Sequence, residues 1–307
     1  MVKLKGITKI TGLAASASLL FLLSACGSSN DTSTSKSDSS GKINIVAAEN
    51  FYGEVAKAVG GDRVAVTDIL NNPNTDPHDY EPTPDVARRV SMAQMIVYNG
   101  VGYDSWMDKL INADSSSKSK TITKVADNVM GKKEGDNEHI WYNPDTMPKL
   151  AKKLAADLAK LDPSHAQTYQ KNAQTYIDSL APLQAKVQKL KQTSGAKIDV
   201  SEPVFDYMAN ALNLEVNDQK FSLAIDNGTE PSAADFGQLQ NDLKGKNIKL
   251  FVYNVQNSSP TVDNLLKMAK SSGVPVIKVT ETEPKGKTYL QWMNDQLDQV
   301  AKGLSIQ

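Results

Sequence analysis

The chain has 307 residues, 40% of them hydrophobic, and its 34 basic and 35 acidic side chains give a formal net charge of −1 at pH 7. Because no basic tract follows the first residues, nucleic acid is not an expected partner. The single cysteine, Cys26, excludes a disulfide or a cysteine-based zinc site within one molecule.

The first 26 residues have the layout of a bacterial export signal. Lys3, Lys5 and Lys9 precede the apolar run GLAASASLLFLLSAC, which is too short for a comfortable membrane span. The run ends in LSAC, which resembles a lipobox, so residues 1–25 are predicted to be a lipoprotein signal peptide and Cys26 the lipid-modified N-terminus. The alternative is an ordinary signal peptide with an incidental cysteine.

Residues 26–41 are predicted to form a flexible tether. After Cys26 the chain reads GSSNDTSTSKSDSSG, which contains no apolar side chain and cannot bury enough surface to offset the cost of ordering. Removal of residues 1–25 takes away three lysines and no acid, so the formal charge of the mature chain would be −4. The folded part is expected to begin near Lys42.

Short β-branched runs then alternate with helical patterns. The predicted strands are KINIVAA, VAVTDIL and MIVYNG in the first half, and KIDVSE, IKLFVYN and VPVIKVTE in the second. This alternation predicts an α/β fold with two (β/α) lobes, each built on a parallel sheet. We predict an N-terminal lobe over residues 42–162 and a C-terminal lobe over residues 193–307.

One long linking helix is predicted over residues 163–192, between the lobes. Apolar and aromatic residues recur at steps of three and four from Tyr169 to Leu190, which indicates one buried stripe. Asp162 can cap this helix, and Pro182 is expected to bend it slightly. A continuous rigid helix would limit the relative motion of the lobes.

Four side chains with metal-ligand chemistry fall in loops at the ends of predicted elements. His78 lies in the proline-rich loop NTDPHDYEPTP, His139 lies in DNEHIWYNP, and Glu202 and Glu281 end two strands of the second half. Two neutral imidazoles and two carboxylates carry a charge that one divalent cation would cancel, and this donor mixture suits manganese or zinc. From spacing alone, hydrogen-bonded loop histidines remain the alternative.

Five separated segments resemble the substrate-binding lipoproteins of manganese and zinc ABC importers, the cluster A-I metal-binding proteins. They are NTDPHDYEPTPDVARRVSMAQMIVYNGVGYDSWMDKL, EHIWYNPDTMPKLA, SEPVFDYMANALNL, TEPSAADF and VPVIKVTETEPKGKTYLQWM, in the family's order. The resemblance implies two lobes joined by a rigid helix, with one metal ion in the interlobe cleft. It also implies delivery of that ion to an ABC permease in the membrane.

The same resemblance implies a ligand set. The family's two histidines fall on His78 in DPH and His139 in HIW, its third ligand on Glu202, and its fourth, usually an aspartate, on Glu281 in VTETEP. Glu283 competes for the fourth position. Manganese is favoured for two reasons. Two carboxylates can each bind through one or two oxygens, and the chain lacks the histidine-rich loop of many zinc-type members. Zinc should also bind.

Three further acids are candidates to orient a ligand without touching the metal, namely Glu49, Asp76 and Asp79. Asp76 and Asp79 could instead be solvated loop acids, with Asp79 capping a turn. The chain is expected to be a monomer, anchored through Cys26 on the outer face of a Gram-positive cell membrane. It is not expected to be an enzyme, because HExxH, GxSxG and GxxxxGK[ST] are absent. A surface adhesin with an incidental metal site is the alternative function.

Overall fold

The two groups of β-branched runs form two separate four-stranded sheets, and every pairing in them is parallel. The computed structural model describes residues 41–72, 75, 80–257 and 259–306, which all lie in one compact unit, Ser39–Gln307. The predicted α/β class with two parallel sheets is therefore confirmed. The predicted signal peptide, and the tether up to residue 40, lie outside the described residues.

The N-terminal sheet has the strand order β2-β1-β3-β4. Its elements are β1 (Ile43–Glu49), α1 (Asn50–Gly60), β2 (Val64–Leu70), α2 (Pro84–Met92), β3 (Met95–Tyr98), α3 (Ser105–Ala113) and β4 (Thr121–Lys124). All four residues of β3 are buried, as expected for a parallel strand covered on both faces. The edge strand β4 was not predicted, because its run TITK has only four residues and gives a weak strand pattern.

Three helices connect the two sheets: α4 (Thr146–Leu161), α5 (Ala166–Ser179) and α6 (Ala181–Leu190). The prediction of one continuous helix over residues 163–192 was wrong. A short 3-10 turn, Pro163–His165, precedes α5, and the helix is interrupted at Leu180. Pro182 explains the interruption, because it has no N–H to donate to the carbonyl of Asp178 and its ring crowds that position.

The C-terminal sheet has the order β6-β5-β7-β8, which repeats the topology of the first. Its elements are β5 (Ala196–Val200), α7 (Asp206–Ala211), β6 (Leu214–Val216), α8 (Gln219–Asp226), α9 (Ala233–Gly245), β7 (Leu250–Asn254), α10 (Pro260–Ser272), β8 (Val276–Val279) and α11 (Tyr289–Gly303). The three-residue strand β6 was also missed. Among the described residues, no helix has the length and apolar character needed to cross a membrane.

One hydrophobic core extends from the first sheet to the second. At its centre, the ring of Phe51 lies 5.1 Å from that of Trp141 and 5.8 Å from that of Trp292. Trp106, Trp141 and Trp292 are all buried packing residues. Because both sheets pack against this one core, a large hinge motion would expose apolar surface, at a cost of about 25 cal/mol per Å². The shared core therefore restrains relative movement of the lobes.

Candidate metal-binding site

Each sheet carries one carboxylate and one amide side chain at the same position, the point where its strand order reverses. The strand order reverses between β1 and β3 in the first sheet and between β5 and β7 in the second. Open parallel sheets bind ligands outside the carboxyl ends of their strands at such a place. Glu49 ends β1 and Asn99 follows β3, whereas Glu202 follows β5 and Asn254 ends β7. The topology thus directs these polar side chains towards the cleft.

The imidazole of His139 is fully buried, and one of its nitrogens is held by Asn137. The amide nitrogen of Asn137 donates to the carbonyl of Pro203 at 2.8 Å, which fixes its oxygen towards His139. That oxygen lies 2.9 Å from Nδ1 of His139 and can only accept, so Nδ1 carries the proton of the neutral ring. Nε2 has no hydrogen-bond partner among the described residues, and its lone pair is available to a metal.

Glu202 and Glu281 are brought together by a single amide. Nδ2 of Asn254 donates to Oε2 of Glu202 and to Oε1 of Glu281, both at 2.6 Å. Asn257 donates to the other oxygen of Glu202. On the opposite side, Oε2 of Glu281 lies 3.9 Å from Nε2 of His139. Three of the four predicted ligands therefore converge, one from the first half of the chain and two from the second.

Burial and mutual repulsion change the acidity of these groups. Burial raises the pKa of Glu202 to about 7, and the neighbouring Glu281 carboxylate adds to the rise. Burial lowers the pKa of His139, but the nearby carboxylates, first Glu281 and then Glu138 and Asp226, more than offset this, so the net shift of the His139 pKa is upward. Like charges held close together in a dry cleft are costly unless a cation or proton compensates them.

Glu283, the competitor of Glu281, faces a different cavity. It lines a space of about 330 Å³ together with Asn50, Glu54, Lys57 and Asp68, among other residues. Burial raises the pKa of Glu283 to about 8, and the nearby Glu54 carboxylate contributes to the shift. The geometry therefore favours Glu281 over Glu283 as the carboxylate beside His139.

Glu49 is fully buried, and its carboxyl group lies beside that of Asp104. Burial raises the pKa of Glu49 well above its ordinary value, and the nearby Asp104 carboxylate raises it further. Asp104 itself accepts hydrogen bonds from the backbone N–H groups of Asn99 and Gly100. Glu49 is thus a buried acid at the end of β1, and its assignment as an orienting residue stays a prediction.

Three acids near His139 were not predicted: Glu138, Asp206 and Asp226. Ligand atoms of Glu138, His139 and Asp226 all lie within 4.8 Å of one another. Burial raises the pKa of Asp206 to about 7. Glu138 and Asp206 lie in the motifs EHIW and SEPVFDYM, but they were not weighed as site residues. Asp226 ends α8 outside those motifs, and only the fold brings it to His139.

The structure also joins the two halves of the chain beside the site. Tyr207 donates from its hydroxyl to the carbonyl of Asn137 at 2.7 Å, and Tyr142 donates to the carbonyl of Thr280 at 2.6 Å. These bonds hold the segment that carries His139 against the segments that carry the two glutamates. His78, Asp76, Asp79 and Cys26 lie outside the described residues, so their assigned roles stay predictions.

Comparisons with known proteins find similarity to metal-uptake and metal-binding proteins. The family model described as "Zinc-uptake complex component A periplasmic" matches residues 45–303. The iron ABC transporter substrate-binding lipoprotein MtsA of Streptococcus pyogenes serotype M1 is 29% identical, over 93% of this chain and 95% of its own. The zinc-binding lipoprotein AdcA of Streptococcus pneumoniae is also 29% identical, over 94% of this chain and 60% of its own.

A solved structure shows the same fold. The substrate-binding protein FpvC of Pseudomonas aeruginosa, in complex with Mn²⁺, is similar to this chain with a TM-score of 0.71 and 21% identity. The similarity covers 86% of this chain and 98% of FpvC. The two-sheet architecture of this chain and its helical connections are therefore a fold that FpvC shares.

Proposed function

Because the chain belongs to the zinc-uptake complex component A family, we propose that it captures one divalent metal ion outside the cell and delivers it to an ABC-type membrane permease. The family is one of uptake components, so no catalytic activity is assigned. The ion is cargo: it must be bound tightly enough to be captured and then released to the permease.

One observation carries the proposal, namely the convergence of His139, Glu202 and Glu281 from separate parts of the chain. A buried imidazole with a free Nε2 lone pair and two buried carboxylates form a donor set for a divalent cation. His78 is proposed as a further ligand of the same ion, and the family resemblance of its DPH motif supports this. Together these side chains would cancel the charge of one divalent ion.

Manganese is the proposed cargo, with zinc as a second ion that also binds. The names of the relatives differ on this point, since MtsA is called an iron transporter component and AdcA a zinc-binding lipoprotein. The donor set supports manganese, because two carboxylates that bind through one or two oxygens allow a coordination number above four. Zinc binding should still be tight, because affinity follows the Irving–Williams order.

We further propose that residues 1–25 are removed, that Cys26 carries a lipid, and that the segment up to residue 41 tethers a monomeric binding unit. The lipoprotein names of the relatives support an anchor on the outer side of a membrane. A Gram-positive surface is the proposed location. An adhesin function is not supported, because the names of these relatives describe metal binding and transport.

Metal binding should order the cleft with little movement of the lobes. The driving force is the higher affinity of the ion for the closed state, in which the ion would contact both His139 and Glu281. The shared core and the bonds of Tyr207 and Tyr142 resist a larger change. The permease would then distinguish loaded from empty protein by the loops around Glu202 and Glu281.

The test is a metal analysis and calorimetric titration of the chain from Lys42 onward with manganese and with zinc. Wild type should bind one ion per chain. Glu281→Ala should bind it much more weakly, whereas Glu283→Ala, whose carboxylate lines the other cavity, should bind it like wild type. Absence of binding of either ion to folded wild type would overturn the proposed function. Loss of binding in Glu283→Ala alone would reassign the fourth ligand.

A further inference from the structure

A second group of carboxylates lies between the two halves of the chain, and none of its members is a proposed ligand of the cargo ion. Glu54, Asp68 and Glu283 line a space of about 330 Å³, here called the α1 cavity. Asn50 and Lys57 also line it, and with Glu54 they follow one another at steps of four and three residues, so they share one face of α1. Asp68 belongs to β2, and Glu283 lies between β8 and α11. Both halves of the chain therefore form the α1 cavity.

The carboxylate of Glu283 has an oxygen without a hydrogen-bond partner. The residue is only 7% exposed, and its Oε2 accepts no hydrogen bond from any described residue. A buried carboxylate oxygen that has lost water and gained no donor is costly, so buried oxygens of this kind are normally paired. Because Glu283 lines the α1 cavity, a cation bound there would supply the missing partner.

The charges around the α1 cavity leave a negative excess. After burial, the carboxylates of Glu54 and then Asp68 do most to raise the pKa of Glu283, which shows that both lie near it. Lys57 donates to Asp68 and so offsets one of the three negative charges. Lys285 also lines the cavity, but it is an exposed residue, and water and salt screen its charge. Two negative charges therefore remain, which one divalent cation would cancel.

The donor atoms of the α1 cavity are oxygens, and this selects a hard cation. Besides the three carboxylates, the side-chain amides of Asn50 and Asn71 line the space, and no histidine or cysteine is among its described lining residues. Calcium takes roughly six to eight oxygen ligands in a flexible geometry, some of them water. The three carboxylates do not meet as a set within 4.8 Å, so the ion would keep several waters, for which the cavity has room. Manganese and zinc instead favour the imidazole-containing site.

We propose that the α1 cavity binds one calcium ion, held by Glu54, Asp68 and Glu283 and by retained water. This inference goes beyond the proposed metal delivery and does not depend on it, because the cargo ion is assigned to other residues. The calcium ion would tie α1 in the first half of the chain to the segment of the second half that follows Glu281. It is a structural ion that stays with the protein, whereas the cargo ion is released.

Calorimetric titration of Ca²⁺ into the zinc-loaded full chain in detergent tests the proposal. Zinc is bound first, so that calcium reports only a further site. Wild type should bind one calcium ion with a Kd on the order of 0.1 to 1 mM, the range of extracellular calcium modules, and should keep its zinc. In Glu283→Gln the calcium affinity should fall at least about tenfold, because the site loses one charged ligand. Equal zinc content in this variant and wild type would show that the variant is folded.

Glu230→Gln is the matched control, because it removes one negative charge from an exposed residue in the loop after α8, and it should bind calcium like wild type. Absence of calcium binding up to about 10 mM would overturn the α1 cavity as a calcium site. Wild-type calcium affinity in Glu283→Gln, or release of zinc by calcium, would overturn it as well. Failure of the proposed function would appear earlier, as a lack of zinc binding, and calcium titration of the zinc-free chain would then still test the cavity.

Discussion

Nε2 of His139 lies 3.9 Å from Oε2 of Glu281, across the boundary between the two halves of the chain. Two ligand atoms that each bind one ion at about 2.1 Å are separated by roughly 3.0 to 3.6 Å. The two groups would therefore need to approach by about 0.3 to 0.9 Å to share a metal. Such a small approach agrees with the proposal that the lobes, which share one core, move little on metal binding.

Replacement of Asn137 by alanine should weaken metal binding by about 10- to 100-fold, because its oxygen fixes the tautomer and the orientation of His139. Calorimetric titration with zinc would measure the change. Tyr207→Phe is the control, since it removes another bond between the two halves, to the backbone of Asn137, and leaves the His139 contact in place. Equal losses in both variants would contradict the role assigned to the Asn137 side chain.

Asn254→Ala should lower both metal affinity and the stability of the metal-free protein. Its amide donates to both buried glutamates, so its loss should reduce the free energy of unfolding by about 1 to 3 kcal/mol. Affinity should fall about 10- to 100-fold, because the carboxylates lose the group that positions them. Denaturant unfolding and calorimetry would measure the two effects.

A suitable control for Asn254→Ala is Asn172→Ala. Asn172 lies in α5 and donates to the carbonyl of Val59 at 3.1 Å, away from the predicted ligands. This variant also loses an amide hydrogen bond, but its metal affinity should stay at the wild-type value. An unchanged affinity in Asn254→Ala would show that the amide does not position the glutamates.

Asp199→Asn should stabilise the protein at high pH. Asp199 is fully buried in β5, and burial, followed by repulsion from Asp242, raises its pKa to about 7. Between its ordinary value near 4 and pH 7, the folded state keeps a proton that the unfolded chain releases, so stability falls as pH rises through this range. Asparagine cannot ionise, so the variant escapes that loss.

The expected gain in the free energy of unfolding for Asp199→Asn is on the order of 2 kcal/mol at pH 8. The difference from wild type should be much smaller at pH 5, where Asp199 is still protonated in the folded state. Thermal unfolding at both pH values would measure it. Glu215→Gln, at an exposed position of β6, is the matched control and should show no such pH dependence. A variant that is less stable than wild type at pH 8 would contradict the prediction.

Hydrogen exchange should change on metal binding only around the site. Protection should increase in residues 202–206, 254–257 and 280–283, because these segments carry or support the two glutamates. Exchange in β1 and α5 should be unchanged, because the core they share with the rest of the protein is already packed. Altered protection across whole lobes would indicate a hinge motion instead.

Local patterns were sufficient for most of the architecture. Runs such as VAVTDIL and IKLFVYN are long and β-branched, so their strands were predicted, whereas β4 and β6 are short and carry little signal of their own. The error in the linking helix had a local cause. Pro182 was recognised as a bend, but its missing N–H and its ring ended one helix and began another.

The sequence by itself determined the two parallel sheets and the candidate ligands His139, Glu202 and Glu281, because periodicity and motif are properties of neighbouring residues. Only the tertiary structure decided which groups meet. It separated Glu281 from Glu283, placed the amide of Asn254 between two carboxylates, and brought Asp226 to His139. Such distances depend on how distant segments pack, and no local pattern encodes them.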